Sequence, residues 1–331
     1  MDSNPASGAP FPFDLKMPLR RSLIAYDGFF EIYTENQTYR LQHPTGDMSR
    51  KDFSPESTFV TTLVADAGSR NLTIARLILQ THECMQSAPL SAAERQRALT
   101  VLHACKDALL SCEDIANQLK TDVDSIIEGI KQSGFWQEGQ SMKLPQHPSL
   151  QTQASTYLVH LNRSIRKICE FAFALLELDR KDNNFKDLAK RVGAKLGVDS
   201  MMYKYVHANV ERIENLILLR NFDEHPGDTT TVLRNFHLAG PRAISAPTWE
   251  LTGAKATAPK FIAEDAIEQT AYVRGIAENV VMFALNELIQ PPLMIMQINE
   301  DHIDPAWPVR FRVHLDTSRM TFVSPNSRDP T

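Results

Sequence analysis

The chain has 331 residues and 37.3 kDa, which at about 100–200 residues per domain makes roughly two domains, each large enough for its own hydrophobic core. With 43% hydrophobic and 23% charged residues, 13 glycines and 19 prolines, the composition excludes a disulfide-stapled miniprotein, a fibrous repeat and a low-complexity chain. Lys+Arg 35 against Asp+Glu 40 leaves a formal charge of −5, so no global field draws the protein to polyanions, and nucleic-acid contact would need a local patch.

No run approaches 18 consecutive apolar residues, so no membrane span is expected. The opening MDSNPASGAPFPFD carries proline and acid where a secretory leader needs cations and then an apolar run, which makes the cytoplasm the expected location. In that compartment Cys84, Cys105, Cys112 and Cys169, which lack CxxC spacing, would be thiols.

In chain order, residues 1–18 hold Pro5, Pro10, Pro12 and Pro18 among small polar residues and suit a disordered lead-in. Residues 19–150 are expected to form an N-terminal helical domain. Within it, Ser22 to Tyr39 is aromatic and β-branched enough for a strand or two, and Thr58 to Cys84 reads as helix with a break near Gly68. Ser91 with Glu94 three residues on is a capping box, opening a helix to about Leu110. Glu113 to Trp136 then resembles a helix-turn-helix of the winged-helix kind, with Ile115, Ala116 and Leu119 on one helix and Val123, Ile126, Ile127 and Ile130 on the next. Five acids against two bases in that stretch are poorly suited to phosphates. It therefore reads as DNA-reading or, alternatively, as a unit that docks a protein partner or ligand in the N-terminal domain.

Between Ser133 and Thr156 charge thins and Gln, Ser, Pro and Gly accumulate, the composition of a domain boundary, placed near residue 150. The acidity lies mainly before that cut, with 14 bases and 18 acids, against 21 and 22 after it. Residues 151–331 are expected to be a second helical domain. Leu158, Leu161, Ile165, Ile168, Ala172 and Leu175 step by three and four residues, the stripe of a long bundle helix. A short helix at Asn184 to Leu196 and a longer one from Asp199 to about Glu224 follow, stopped by Pro226 and Gly227. Thr231 to Thr252 alternates like a β-hairpin, Ile262 to Ile289 is a last long helix ended by Pro291-Pro292, and Leu293 to Ile298 and Val309 to Leu315 are short strands. The fold class expected is mainly α, with a small hairpin insert.

The apolar face of the third helix in this half, Met202, Val206, Val210, Ile213 and Ile217, is continued by Arg220. Asn221, Phe222, Asp223, Glu224 and His225 come next, before a proline that disfavours helical geometry at His225. On a continuous helix Arg220 and His225 would stand about 140° apart; unwinding at the proline would let both turn toward one point. A guanidinium is a permanently charged fork matched to phosphate, and an imidazole exchanges protons near neutrality. Together they supply what metal-independent RNA cleavage needs: a base for the ribose 2′-OH and a cation over the phosphorane. Asn221 could hold the imidazole in one tautomer or bond a phosphate oxygen. The alternative is a pair that only caps a helix end.

The run Arg220-Asn221-Phe222-Asp223-Glu224-His225 resembles the RNxxxH form of the R-x(4-6)-H signature of HEPN domains. The resemblance covers about residues 150–290. It implies a compact helical bundle that dimerises, an RNA endonuclease site at the homodimer interface with Arg220, Asn221 and His225 in it, and a role as toxin or phage-defence effector. It equally allows a noncatalytic, regulatory HEPN-like scaffold. In the subgroup silenced by adenylylation a tyrosine stands two places past the histidine, where this chain has Gly227. With 21 Arg and 10 His, Arg-x4-His should arise by chance roughly 0.6 times, and requiring one of 15 Asn after the Arg lowers that to roughly 0.03.

Arg180 to Lys195 carries Arg180, Lys181, Lys186, Lys190, Arg191 and Lys195 against two acids, a candidate RNA-tracking surface or simply a solvated helix face. His82-x-Cys84 and His103-x-Cys105 do not have zinc-knuckle spacing, and no Walker loop, GxGxxG or HExxH is present, so neither metal nor cofactor is expected. Trp136, Trp249 and Trp307 read as packing residues. A DNA-binding transcription regulator acting through residues 113–136 is the third reading.

Overall fold

The computed structural model describes residues 23–26, 29–42, 60–133, 143–179, 182, 184–225, 227–240 and 243–316. The lead-in at 1–18, Trp136, Arg180 and Lys181 lie outside them. Six α-helices and small antiparallel sheets make the described chain mainly α, and none of these helices is long and apolar enough to cross a membrane.

The contacts divide the chain into residues 1–100 with 285–331, and residues 101–284. This differs from the single cut expected near residue 150. The charge-poor stretch there joins α3 (Leu150–Leu175) to the part of α2 (Ala92–Ser133) that lies in the same unit, residues 101–133, and the two helices meet through buried side chains. Cys105 Sγ points at the Ser164 carbonyl at 3.6 Å and Cys112 Sγ at that of Tyr157 at 3.8 Å.

In the first unit, β1 (Leu23–Tyr26), β2 (Phe29–Tyr33), β3 (Thr38–Gln42) and β4 (Val60–Ala65) form an antiparallel sheet in that order. The expected helix from Thr58 is overturned over β4. Val60, Thr61, Thr62 and Val64 are β-branched, prefer a pleated surface, and register against β3 from Thr38↔Ala65 to Gln42↔Val60. Beyond Gly68 the helical reading holds: a π-wound segment, Ile74–Leu79, runs into α1 (Gln80–Met85) and buries Ile74, Leu77, Ile78 and Leu79. The C-terminal strands β10 (Leu293–Gln297) and β11 (Phe311–Leu315) pair antiparallel. Side chains stitch their segment to the helix: Gln80 Oε1 accepts from the backbone N–H of Arg310 at 2.5 Å and of Phe311 at 2.7 Å, and Arg76 Nε donates to the Pro308 carbonyl.

α2 overturns the helix-turn-helix. Between Ser91 and Ser133 there is no proline, and Cys105, Leu109, Cys112, Ala116, Leu119 and Val123 form one buried stripe through the supposed turn. Lys120–Asp124 and Gln118–Asp122 at i,i+4 add further bridges along the exposed side. The expected capping box is present, with Ser91 N–H donating to Glu94 and Glu94 N–H to Ser91 Oγ.

The second unit continues with α3, α4 (Phe185–Leu196), α5 (Met201–Glu224) and α6 (Ile262–Asn286). Asn184 caps α4 by accepting from Asp187 N–H. A Cβ on Gly193 would come within 2.7 Å of the Tyr203 ring, so glycine permits the close approach of α4 to α5. Between α5 and α6 lies the expected hairpin, drawn in two pieces. β5 (Thr229–Arg234) pairs with β8 (Thr248–Gly253), and β6 (His237–Gly240) with β7 (Ala243–Ser245); β9 (Lys260–Phe261) adds to β8. The break falls at Asn235, whose carboxamide accepts from His147 N–H at 2.9 Å and donates to the His147 carbonyl at 2.9 Å, tying the hairpin to the start of α3.

Candidate functional site

α5 buries Met202, Val206, Ile213 and Leu216, while Val210 and Ile217 of the expected stripe are only half-buried. Its C-terminal turn is held from two sides. Asp223 accepts from Ser155 Oγ at 2.7 Å and from Gln151 on α3, and Thr231 Oγ1 on β5 donates to the Leu219 carbonyl at 2.7 Å, tying the hairpin to the last turns of the helix. The helix stops at Glu224. His225 has left helical geometry, with φ −133° and ψ 72°, and its N–H donates to the Asn221 carbonyl at 2.8 Å. That is the unwinding expected before Pro226.

Arg220 and His225 are thereby placed on the last turn and the cap of one helix. The His225 side chain is exposed, and its ring makes no hydrogen bond with any described residue. Arg220 is one-quarter exposed and engaged within the helix: its Nη2 pairs with Glu224 Oε2 and its Nη1 donates to Asn221 Oδ1 at 3.3 Å, while Nε is buried without a partner. Asn221 therefore holds the guanidinium of Arg220. It does not hold the imidazole, a correction to the expectation. Glu224, which the motif passes over, is the partner that sequence reasoning missed. The signal was the four-residue spacing from Arg220, at which opposite charges meet on a helix.

Among its described residues, the basic run is mostly answered internally. Arg191 donates to Asp187 at 3.2 Å and to Asp179 at 3.3 Å, Lys195 Nζ donates to the Leu176 carbonyl at the end of α3, and Lys186 lies 3.9 Å from Glu214. Lys190 is exposed and has no ion pair with a described residue. The capping network of α4 thus uses charges that the sequence offered as a phosphate surface.

The cysteine positions are core positions. Burial pushes the Cys84 and Cys105 thiols up to about 12, and those of Cys112 and Cys169 higher still. Trp249 packs, as expected, and is 2% exposed; its indole Nε1 also donates to Asp265 at 2.8 Å. No family model, curated protein or solved structure matches the chain.

Proposed function

We propose that residues 150–290 are a HEPN-like bundle, and that Arg220 and His225 with Asn221 in support make a metal-independent endoribonuclease site completed by a second copy of the chain. The observation that carries this reading is the end of α5, where an exposed imidazole freed from helical geometry follows, on the next turn, a partly exposed guanidinium. A long and a short helix precede this turn, and a hairpin and a long helix follow it. His225 takes the proton of a ribose 2′-OH, the 2′-oxygen attacks phosphorus, and Arg220 lies over the oxygens that gain negative charge. The bond to the 5′-oxygen breaks and that oxygen takes up the proton that His225 removed, giving a 2′,3′-cyclic phosphate and a 5′-OH end. Glu224 yields Arg220 to the phosphate as RNA arrives. A toxin or phage-defence role belongs to this reading.

The test is incubation of purified protein and His225→Ala with mixed RNA in excess EDTA. Wild type alone should leave 5′-OH ends, at a rate second order in dilute protein. Equal inactivity of the two proteins overturns the reading, and a concentration-independent specific rate down to monomer removes the composite site.

A noncatalytic scaffold is the second reading, favoured by the Arg220–Glu224 pair, which already engages one end of the guanidinium inside one chain. Glu224→Gln separates the two. On the catalytic reading it frees Arg220 and lowers the KM for RNA; on the other it changes no RNA signal. The transcription-regulator reading loses its support with the helix-turn-helix, since residues 113–133 are one helix.

A further inference from the structure

From Leu150 to Cys169, α3 holds no aspartate or glutamate, where the chain's 40 acids in 331 residues would place about two. It holds Arg163, Arg166 and Lys167 instead. Lys167 is paired with Glu170 at 2.8 Å. Arg163 and Arg166 are exposed, and neither makes an ion pair or a hydrogen bond with a described residue. Unlike Arg191 and Lys195 of α4, both keep their side-chain donors open to solvent.

Their place on the helix ties them to the end of α5. Ser155 Oγ donates to Asp223 at 2.7 Å, two residues before His225, so the edge of α3 at Ser155 lies beside the Arg220–His225 turn. At about 100° per residue, Val159, Arg163 and Arg166 follow Ser155 at about 40°, 80° and 20° around the axis, which makes one strip of helix surface. With a rise of about 1.5 Å per residue, Arg163 stands roughly 12 Å and Arg166 roughly 17 Å along the axis from Ser155. In a stacked strand with about 3.4 Å between phosphates, that is roughly three to five nucleotides. The two acids at the end of α5 are already engaged, Asp223 by Ser155 and Gln151 and Glu224 by Arg220. Val159, 44% exposed, is the large apolar side chain on the strip. Two open guanidinium forks on an acid-free strip match the phosphates of a strand, and the valine between them and the site meets the face of an unstacked base. Duplex RNA offers its phosphates but keeps its base faces stacked, and in-line attack by a 2′-OH requires the backbone to leave A-form geometry.

We propose that the strip of α3 from Ser155 to Arg166 carries the flank of a single-stranded RNA substrate, with phosphates roughly three to five nucleotides from the cleaved bond held by Arg163 and Arg166. This assignment rests on the ribonuclease reading of Arg220 and His225, and it puts the path of the strand on α3 in place of the basic run of α4.

The test compares full-length His225→Ala, which binds RNA without cleaving it, with the same protein carrying Arg163→Ala and Arg166→Ala, in filter binding to a single strand of about 20 nucleotides. The arginine pair should weaken binding roughly tenfold and lower the slope of log Kd against log salt by about 1.4, two contacts at about 0.7 each. Arg163→Lys with Arg166→Lys should keep the slope. Lys190→Ala with Lys255→Ala removes the same charge from two other exposed positions that have no ion pair with a described residue, and should change affinity and slope by less than half as much. In the cleaving protein, Arg163→Ala with Arg166→Ala should raise KM and leave kcat in place. Thermal melts verify the folding of each variant. An unchanged slope, an equal loss from the lysine pair, a fall in kcat without a rise in KM, or duplex RNA competing as well as single strand overturns the α3 assignment, while cleavage by wild type leaves the ribonuclease reading standing. Wild type that neither binds nor cleaves RNA overturns both.

Discussion

Replacing Asp265 by alanine should be among the most damaging single changes in the second unit. The carboxylate is 5% exposed and receives three donors. Two of them, Trp249 Nε1 and Gln269 Nε2, belong to residues 2% and 4% exposed, so neither can turn to water. Lys260 has a side chain 55% exposed and can. Each stranded neutral donor costs about 1–3 kcal/mol, and the relief of no longer burying a carboxylate offsets part of the sum, leaving about 3 kcal/mol. For a unit of this size that is about 6–12 °C in Tm. Urea denaturation followed by far-UV circular dichroism and tryptophan fluorescence measures it. In a Trp249→Phe background, where one donor is already gone, the same substitution should cost about 1–3 kcal/mol less. A loss below about 1 kcal/mol for Asp265→Ala, or a cycle that closes with no coupling between the two positions, would refute the argument that the buried carboxylate organises this corner.

Gln80→Leu should leave the N–H groups of Arg310 and Phe311 without their acceptor and speed hydrogen exchange at those two amides roughly tenfold or more; unchanged protection would show that Gln80 does not hold β11. With Cys84 and Cys105 thiols pushed up to about 12 by burial, about one molecule in 10⁴ carries either thiolate at pH 8. All four cysteines should stay silent to a thiol reagent in the native protein and react in urea; fast native reaction at any of them contradicts the buried placement. Hydrogen bonds with Ser91 hold the Glu94 carboxyl below the ordinary glutamate value. A depressed folded value contributes stability that is present above the unfolded value and lost as pH falls through the folded one. Exchange at the first turn of α2 should therefore rise below the ordinary glutamate range, and Glu94→Ala should remove that pH dependence.

What was legible in the sequence is what neighbours a few residues apart decide. The stepping of Leu158 to Leu175, the Ser91–Glu94 box and the proline after His225 each produce the local structure expected of them. Turn chemistry and alternation likewise marked the insert between α5 and α6 and the strand pair at the C-terminus. Local signals failed where two choices were locally close. Val60 to Ala65 could have been helix, and pairing with β3 makes it a strand. Lys120 to Asp122 reads as a turn by its polarity, yet Leu119 and Val123 on either side are needed on one buried face.

The basic residues of α4 show the same division. Their number is visible in the sequence, but the acceptors of Arg191 and Lys195, Asp179 and the Leu176 carbonyl, are met only when the end of α3 folds beside α4. The union of residues 1–100 with 285–331 and the meeting of the Trp249 indole with Asp265 have the same origin. Hydrophobic period, caps and breakers act over a turn or two of chain, so the sequence by itself determined the helices of the second half and the place where α5 ends. Which carboxylate meets which cation and which strand finds its partner depend on groups up to some 230 residues apart, as Gln80 and Phe311 are. Only the tertiary structure decides those, because the free energy of such a contact exists only once the chain has brought both groups out of water together.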